Sequence, residues 1–250
     1  MNVKILETPE KLGKEAAAQA AGVLNRAIKE KGSARLALST GASQFETINH
    51  LIRMEVDWSK VEMFHLDEYV NLPESHKASF RKYLKERFVD FVSLKKVHFV
   101  DGEGDYQEKV KELSKEISKE PIDLGLIGIG ENAHVAFNDP PADFDTKDPY
   151  IIVNLDGDCK AQQVREGWFE SVDKVPNQAI SMSVHQIMSC KTIISCVPHK
   201  VKAKAIKDVF EKDVTNMIPA TILKTHPDIT LFLDEQSSSE LNKESLKQYQ

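Results

Sequence analysis

Apolar and polar positions along the chain switch between two periods. Over residues 10–29 alanines and leucines recur at helical spacing, 35–38 is a short apolar run, and 43–53 returns to the helical period. The same reading predicts a strand over 61–66, a helix over 79–88, a strand over 97–100 and a strongly charged amphipathic helix over 106–119. Residues 123–129 are apolar with no polar alternation, the signature of a parallel strand covered on both faces. Farther on, strands at 192–197 and 229–233 flank a Lys-rich helix over 201–211. Helical crossovers between successive strands predict parallel pairing. The fold expected is α/β: one domain over 1–250 with a mostly parallel central sheet flanked by helices. Residues 140–176 carry Pro, Gly and acidic residues with weak periodicity, which predicts a long irregular stretch and a candidate lid. The tail from Ser237 onward is polar enough to predict mobility.

Composition narrows the function classes. A chain of 250 residues that is 41% hydrophobic buries a full core. Its net charge of −6 and the lack of a Lys/Arg stripe argue against a nucleic-acid partner. No apolar run approaches the roughly 20 residues that cross a bilayer, and the first residues lack the apolar core of a signal peptide. A cytoplasmic protein with no membrane partner is expected. Cys159, Cys190 and Cys196 are odd in number and have no C-x-x-C spacing, so they read as reduced thiols.

The strand ends carry the chemistry. After Leu38 come Ser39, Thr40, Gly41, Ala42 and Ser43, and Ser43 with Glu46 fits a capping box. Free N–H groups at such a helix start, with the Thr40 and Ser43 hydroxyls, suit a phosphate. No Gly-Lys-[Ser/Thr] follows, so a nucleoside triphosphate is not implied, and Gly128 and Gly130 lack the third glycine of a dinucleotide site. The strand at 61–66 runs into Asp67 and Glu68, which point to opposite faces of an extended chain: one toward a site, the other toward the scaffold. A partly buried carboxylate beside another acid has a raised pKa and suits a general base near neutral pH. His65 reads as a packed strand histidine. The central strand exits through Gly128 and Gly130 into a loop holding Glu131, Asn132, His134 and Asp139, an imidazole beside groups that orient it. No spacing supplies three or four convergent metal ligands, so no metal is expected. Lys200, near a helix start, is a second phosphate-holding candidate.

The segments 38–43, 64–73 with His76 and Ser79, 128–140 and 175–180 together resemble the glucosamine-6-phosphate deaminase/isomerase family, whose relatives include the 6-phosphogluconolactonases. The likeness spans most of the chain. It implies a Rossmann-like three-layer sandwich of the phosphosugar isomerase type, with the active site at the strand ends. It implies further that Asp67 shuttles a proton between C2 and C1 of the opened sugar and that His134 opens the pyranose ring. Asn132 and Asp139 stand behind that histidine, Asp139 where the family usually has a glutamate. Substrate binding falls to Ser39, Thr40, Gly41, Ala42, Ser43, Glu68 and Lys200, Ala42 replacing a common glycine. The family's phosphate-binding arginine would fall at Gly167, with Arg165 two residues earlier as its substitute. Pro140-Pro141 replaces the usual Pro-Gly, and the C-terminus is short beside members with an allosteric amino-sugar-phosphate site.

The activity implied is conversion of glucosamine 6-phosphate to fructose 6-phosphate and ammonia without a cofactor, with galactosamine 6-phosphate as the second substrate choice. A lactonase would use the same fold, but lactonases resemble Asp-Glu-Arg where this chain has Tyr69 after Asp67 and Glu68. A sensing module would carry a DNA-binding segment, and neither end reads as one. The partner expected is a small-molecule phosphosugar; a homo-oligomer is left open.

Overall fold

Runs of β-branched and aliphatic residues with no polar face can be satisfied only between two helical layers, and the computed structural model, which describes residues 1–242, places them there. Seven strands form one parallel sheet: β1 (Asn2–Leu6), β2 (Ala34–Leu38), β3 (Val61–His65), β5 (Lys96–His98), β6 (Leu124–Ile127), β9 (Thr192–Val197) and β10 (Ile229–Asp234). Their order is β1-β10-β9-β6-β2-β3-β5. The chain therefore builds outward from β2 through β3 to β5, then crosses back to lay β6 on the other side of β2. That reversal opens a crevice beyond the carboxyl ends of β2 and β6, where ligands bind in open α/β sheets.

Helices cover both faces. Thr8 caps α1 (Pro9–Lys31) by accepting the Lys11 N–H at 3.2 Å, and Gly32 ends it in the left-handed conformation at φ 81°. The buried stripe of α1 is mostly alanine, which lets it lie close to the sheet and to α2 (Phe45–Leu51). A Cβ on Gly13 would sit 2.5 Å from that of Glu46. With α3 (Phe80–Arg87) these helices close one core, while α4 (Tyr106–Ile117), α6 (Val184–Met188) and α7 (Ala203–Glu211) close the other.

Several boundaries differ from the sequence reading. The edge strand β1 is not apparent in the pattern because its exposure alternates and its one fully buried side chain is Val3. The stretch 140–176 is not irregular: it holds β7 (Tyr150–Asn154) and α5 (Gly157–Arg165), capped by Asp156 accepting the Cys159 N–H at 2.7 Å. Strand β7 joins β8 (Gln178–Met182) and β4 (Asp67–Tyr69) in a small antiparallel sheet, too short and too exposed on one side to stand out in the sequence. The Ser43/Glu46 capping box does not form. A 3-10 turn over Ala42–Gln44 precedes α2, whose start has no side-chain cap. Ser237 is buried and bonded to Asp234 rather than mobile, and the rest of the polar tail beyond Asn242 lies outside the described residues. All three cysteines are buried free thiols. Among the described residues no helix is long and apolar enough to cross a membrane.

Candidate active site

A pocket of about 670 Å³ occupies the crevice at the strand-order reversal. The turn after β2 forms one wall, Asp67 and the β6 loop a second, the end of α5 a third, and the segment after β9 a fourth.

The β6 loop brings His134 and its partners together. Ala133 (φ 64°) and Ala136 (φ 50°) both take the left-handed conformation that non-glycine residues seldom adopt, so the chain doubles back within eight residues. The result is a short relay: His134 Nδ1 lies 2.5 Å from Asn132 Oδ1 and 3.1 Å from Asp139 Oδ1, and Asn132 Nδ2 donates to Asp139 at 3.0 Å. With Nδ1 committed to these oxygens, Nε2 is the ring nitrogen available for proton transfer. Gly130 is required for space, since a Cβ there would fall 2.3 Å from Nε2. Burial pushes the Asp139 carboxyl up, but hydrogen bonds from His134, Asn132 and the Cys159 thiol outweigh it and hold the group below the ordinary aspartate value. Cys159 stays a neutral thiol, raised by burial and by Asp139. The shorter acid at 139 thus reaches the histidine without help from a longer side chain.

Asp67 and Glu68 split as strand alternation predicts. Asp67 lines the pocket at 7% exposure, and among the described residues no hydrogen bond reaches its carboxylate. Burial first, then the charge of Glu68, raises its pKa to about 8. Glu68 faces the scaffold instead. It is fully buried, bonded to Ser79 Oγ at 2.8 Å and to the Arg81 N–H at 2.9 Å, and does not line the pocket, so the expectation that it binds substrate is corrected. Its work is to anchor the start of α3. His65 behaves as read: it is wholly buried, and burial beside the Arg81 charge lowers its pKa to about 3, keeping it neutral.

The far end of the pocket is polar. Ser39, Thr40, Gly41, Ala42 and Ser43 all line it, and the Ser39 hydroxyl is buried with no partner among the described residues. Lys200 does not. Its ammonium bonds Ser239 at 2.8 Å and Glu240 at 3.1 Å on the outer surface. The reason is the backbone: His199 takes a left-handed φ of 81° and a 3-10 turn follows, which rotates Lys202 into the pocket in its place. Burial lowers the Lys202 pKa against the pull of Glu166 and Glu131. Arg165 sits exposed on the rim, with Nη2 3.5 Å from Glu131.

Apart from Arg165, the sequence reading missed the contribution of α5 and the residues just after it. Gln162, Gln163, Glu166 and Trp168 also line the pocket, Gln163 accepting from the Tyr69 hydroxyl at 2.7 Å and Glu166 accepting from Gln162 at 2.7 Å and from the Trp168 indole at 3.0 Å. The spacing of Cys159, Gln162, Gln163 and Glu166 along one helical face was the available signal.

Comparison with known proteins bears on the fold and the family. Over 242 residues the chain is 34% identical to a glucosamine-6-phosphate deaminase of Thermoanaerobacter pseudethanolicus, covering 94% of each. It is 32% identical to one from Lactobacillus delbrueckii subsp. bulgaricus, covering 96% of this chain and 99% of the relative. The structure of a monomeric glucosamine-6-phosphate deaminase superposes with a TM-score of 0.88 at 28% identity, over 96% of this chain and all of the other. A 6-phosphogluconolactonase from Shewanella baltica shares the fold, with a TM-score of 0.77 at 18% identity over 94% and 97% of the two chains. A family model matches residues 7–231, and the chain belongs to the family of glucosamine-6-phosphate isomerases and 6-phosphogluconolactonases.

Proposed function

We propose that this chain converts glucosamine 6-phosphate and water to fructose 6-phosphate and ammonia. The observation that carries the reading is the pairing, in one pocket, of an unbonded carboxylate with a pKa near neutrality and a pre-formed His134 relay. His134 Nε2 moves the proton from the O1 hydroxyl to the ring oxygen, opening the pyranose to the aldehyde. Asp67 takes the C2 proton, giving an enolamine, and returns it to C1. The resulting C2 imine adds water and expels ammonia. A carboxylate serves both transfers because it gains and loses the same proton within one turnover. The phosphate is held at the opposite end by the 40–43 turn and Lys202, with Arg165 closing from the α5 rim. Tyr69, buried among Phe80, Phe137 and Phe169, supports this reading over the lactonase one, since no arginine follows the acid pair to meet a second carboxylate or ester oxygen.

The test is release of ammonia and ketose 6-phosphate by the purified chain without added cofactor, from glucosamine 6-phosphate beside galactosamine 6-phosphate. Matched amounts of both products from the gluco sugar are expected. Silence with both sugars, together with hydrolysis of 6-phosphogluconolactone, would move the assignment to the lactonases.

A further inference from the structure

We infer that Gln44, which no part of the proposed chemistry uses, is a positioning residue that fixes the Ser43 hydroxyl as a hydrogen-bond donor to the bound anion. The inference rests on the phosphate end proposed above. Gln44 is a long polar side chain at 1% exposure, and a buried amide is costly unless bonded. Its Nε2 donates to Ser43 Oγ at 3.2 Å and to the Cys196 carbonyl at 3.3 Å. A carbonyl only accepts, so the amide must turn its NH2 this way, and Ser43 must accept from it. A hydroxyl that accepts from behind has its one hydrogen left for the pocket, which Ser43 lines.

The path of the side chain strengthens the argument. Strands β9, β6 and β2 lie side by side, and Gln44 reaches from the turn after β2 across the end of β6 to β9. It crosses at Gly128, where a Cβ would come within 3.4 Å of Gln44 Nε2, 3.6 Å of Ser43 Oγ and 3.9 Å of Ser39 Oγ. A bare backbone at 128 keeps this polar niche open. The amide therefore also ties the hydroxyl-bearing turn to the strand that leads to Lys202, the two halves of the anion subsite.

The experiment is a double-mutant cycle of Gln44→Met and Ser43→Ala on the whole chain, reading kcat and KM for glucosamine 6-phosphate and the inhibition constant of inorganic phosphate. Loss of one aligned donor to a charged ligand should raise KM and the phosphate constant about 5- to 10-fold, with kcat within about twofold. In the Ser43→Ala background the same change should have less than about a twofold effect. Gln44→Glu, which can only accept from Ser43 and adds charge beside the anion, should be worse than Met, and it completes the cycle should the Met variant not fold. Equal effects of Gln44 substitution in both backgrounds would make its role merely structural and overturn the inference. If Ser43→Ala itself leaves KM and the phosphate constant unchanged, the placement of the anion fails, and this inference with it.

Discussion

Asp67→Asn should abolish turnover and, at the same time, stabilise the fold, with a gain that grows with pH. The carboxylate has a folded pKa of about 8 against 3.8 unfolded, because burial and Glu68 disfavour its charge. The folded state therefore holds its proton over the range in which the unfolded chain has released it. Stability is lost as pH rises from 3.8 and the loss is complete above about 8. At pH 7 the interval above 3.8, at 1.36 kcal/mol per unit, corresponds to a cost of about 4 kcal/mol. Water in the open pocket screens part of it, so we expect the neutral amide to recover about 1–3 kcal/mol. Urea unfolding of parent and variant at pH 5 and pH 8 measures this, the difference between the two chains cancelling every other titrating group. A variant more stable than the parent, by a margin that widens toward pH 8, is expected, with parent kcat/KM rising over the same range as the base ionises. A stability difference that does not change with pH, or an amide variant less stable at pH 8, would refute the claim that Asp67 is held against its own ionisation.

Lys202→Met should raise KM for glucosamine 6-phosphate at least about tenfold, while Lys200→Met should leave it within about twofold, because only the first ammonium faces the pocket. Steady-state kinetics of the pair decides between them. Gly130→Ala should cut kcat about 100-fold or more with little change in circular dichroism, since the added methyl takes the place of the His134 ring. Cys159→Ala removes one donor from Asp139, so that carboxyl rises toward its ordinary value, still below the range in which Asp67 ionises, and an NMR titration of the Asp139 carboxyl measures the change. Cys159→Ser should restore the parent titration of Asp139, and a titration identical in all three chains would show that the thiol contributes only packing.

What the sequence made legible follows from burial. Strands β2, β3 and β6 are covered on both faces, so their runs admit no other reading, and the residues that follow them fall at the crevice by topology alone. The split of Asp67 from Glu68 was likewise carried by strand alternation, although counting Glu68 among the binding residues went against that same rule. Lys202 was lost because a left-handed His199 and a 3-10 turn shift which lysine faces inward, and nothing in a Lys-rich run marks such a turn. The α5 residues other than Arg165 were lost because a short polar helix over a pocket has no apolar stripe to announce it. Gln44 was out of reach for a different reason, its partner Cys196 being 152 residues away.

Around His134 it is the backbone, rather than a long side chain, that brings the hydrogen-bonded groups together. An aspartate is one methylene shorter than a glutamate, yet Asp139 stands 3.1 Å from the imidazole. The two left-handed alanines tighten the loop enough to bring Asn132 and Asp139, seven positions apart, into a direct bond. Each such residue raises the energy of the loop by about 1–3 kcal/mol, and interactions around it must hold it in place. Asn138 does so by donating to the Val135 carbonyl at 2.7 Å and to the Met182 carbonyl at 2.9 Å, which fastens the loop to β8. Strand β8 in turn pairs with β4, the strand that begins at Asp67. Asp67 and His134 therefore share one small antiparallel sheet as their mount, while the 40–43 turn rests on the large parallel one. The Asp67–His134 end of the pocket and its 40–43 end sit on separate supports, and α5, which reaches Asp139 through Cys159 and the rim through Arg165, touches both.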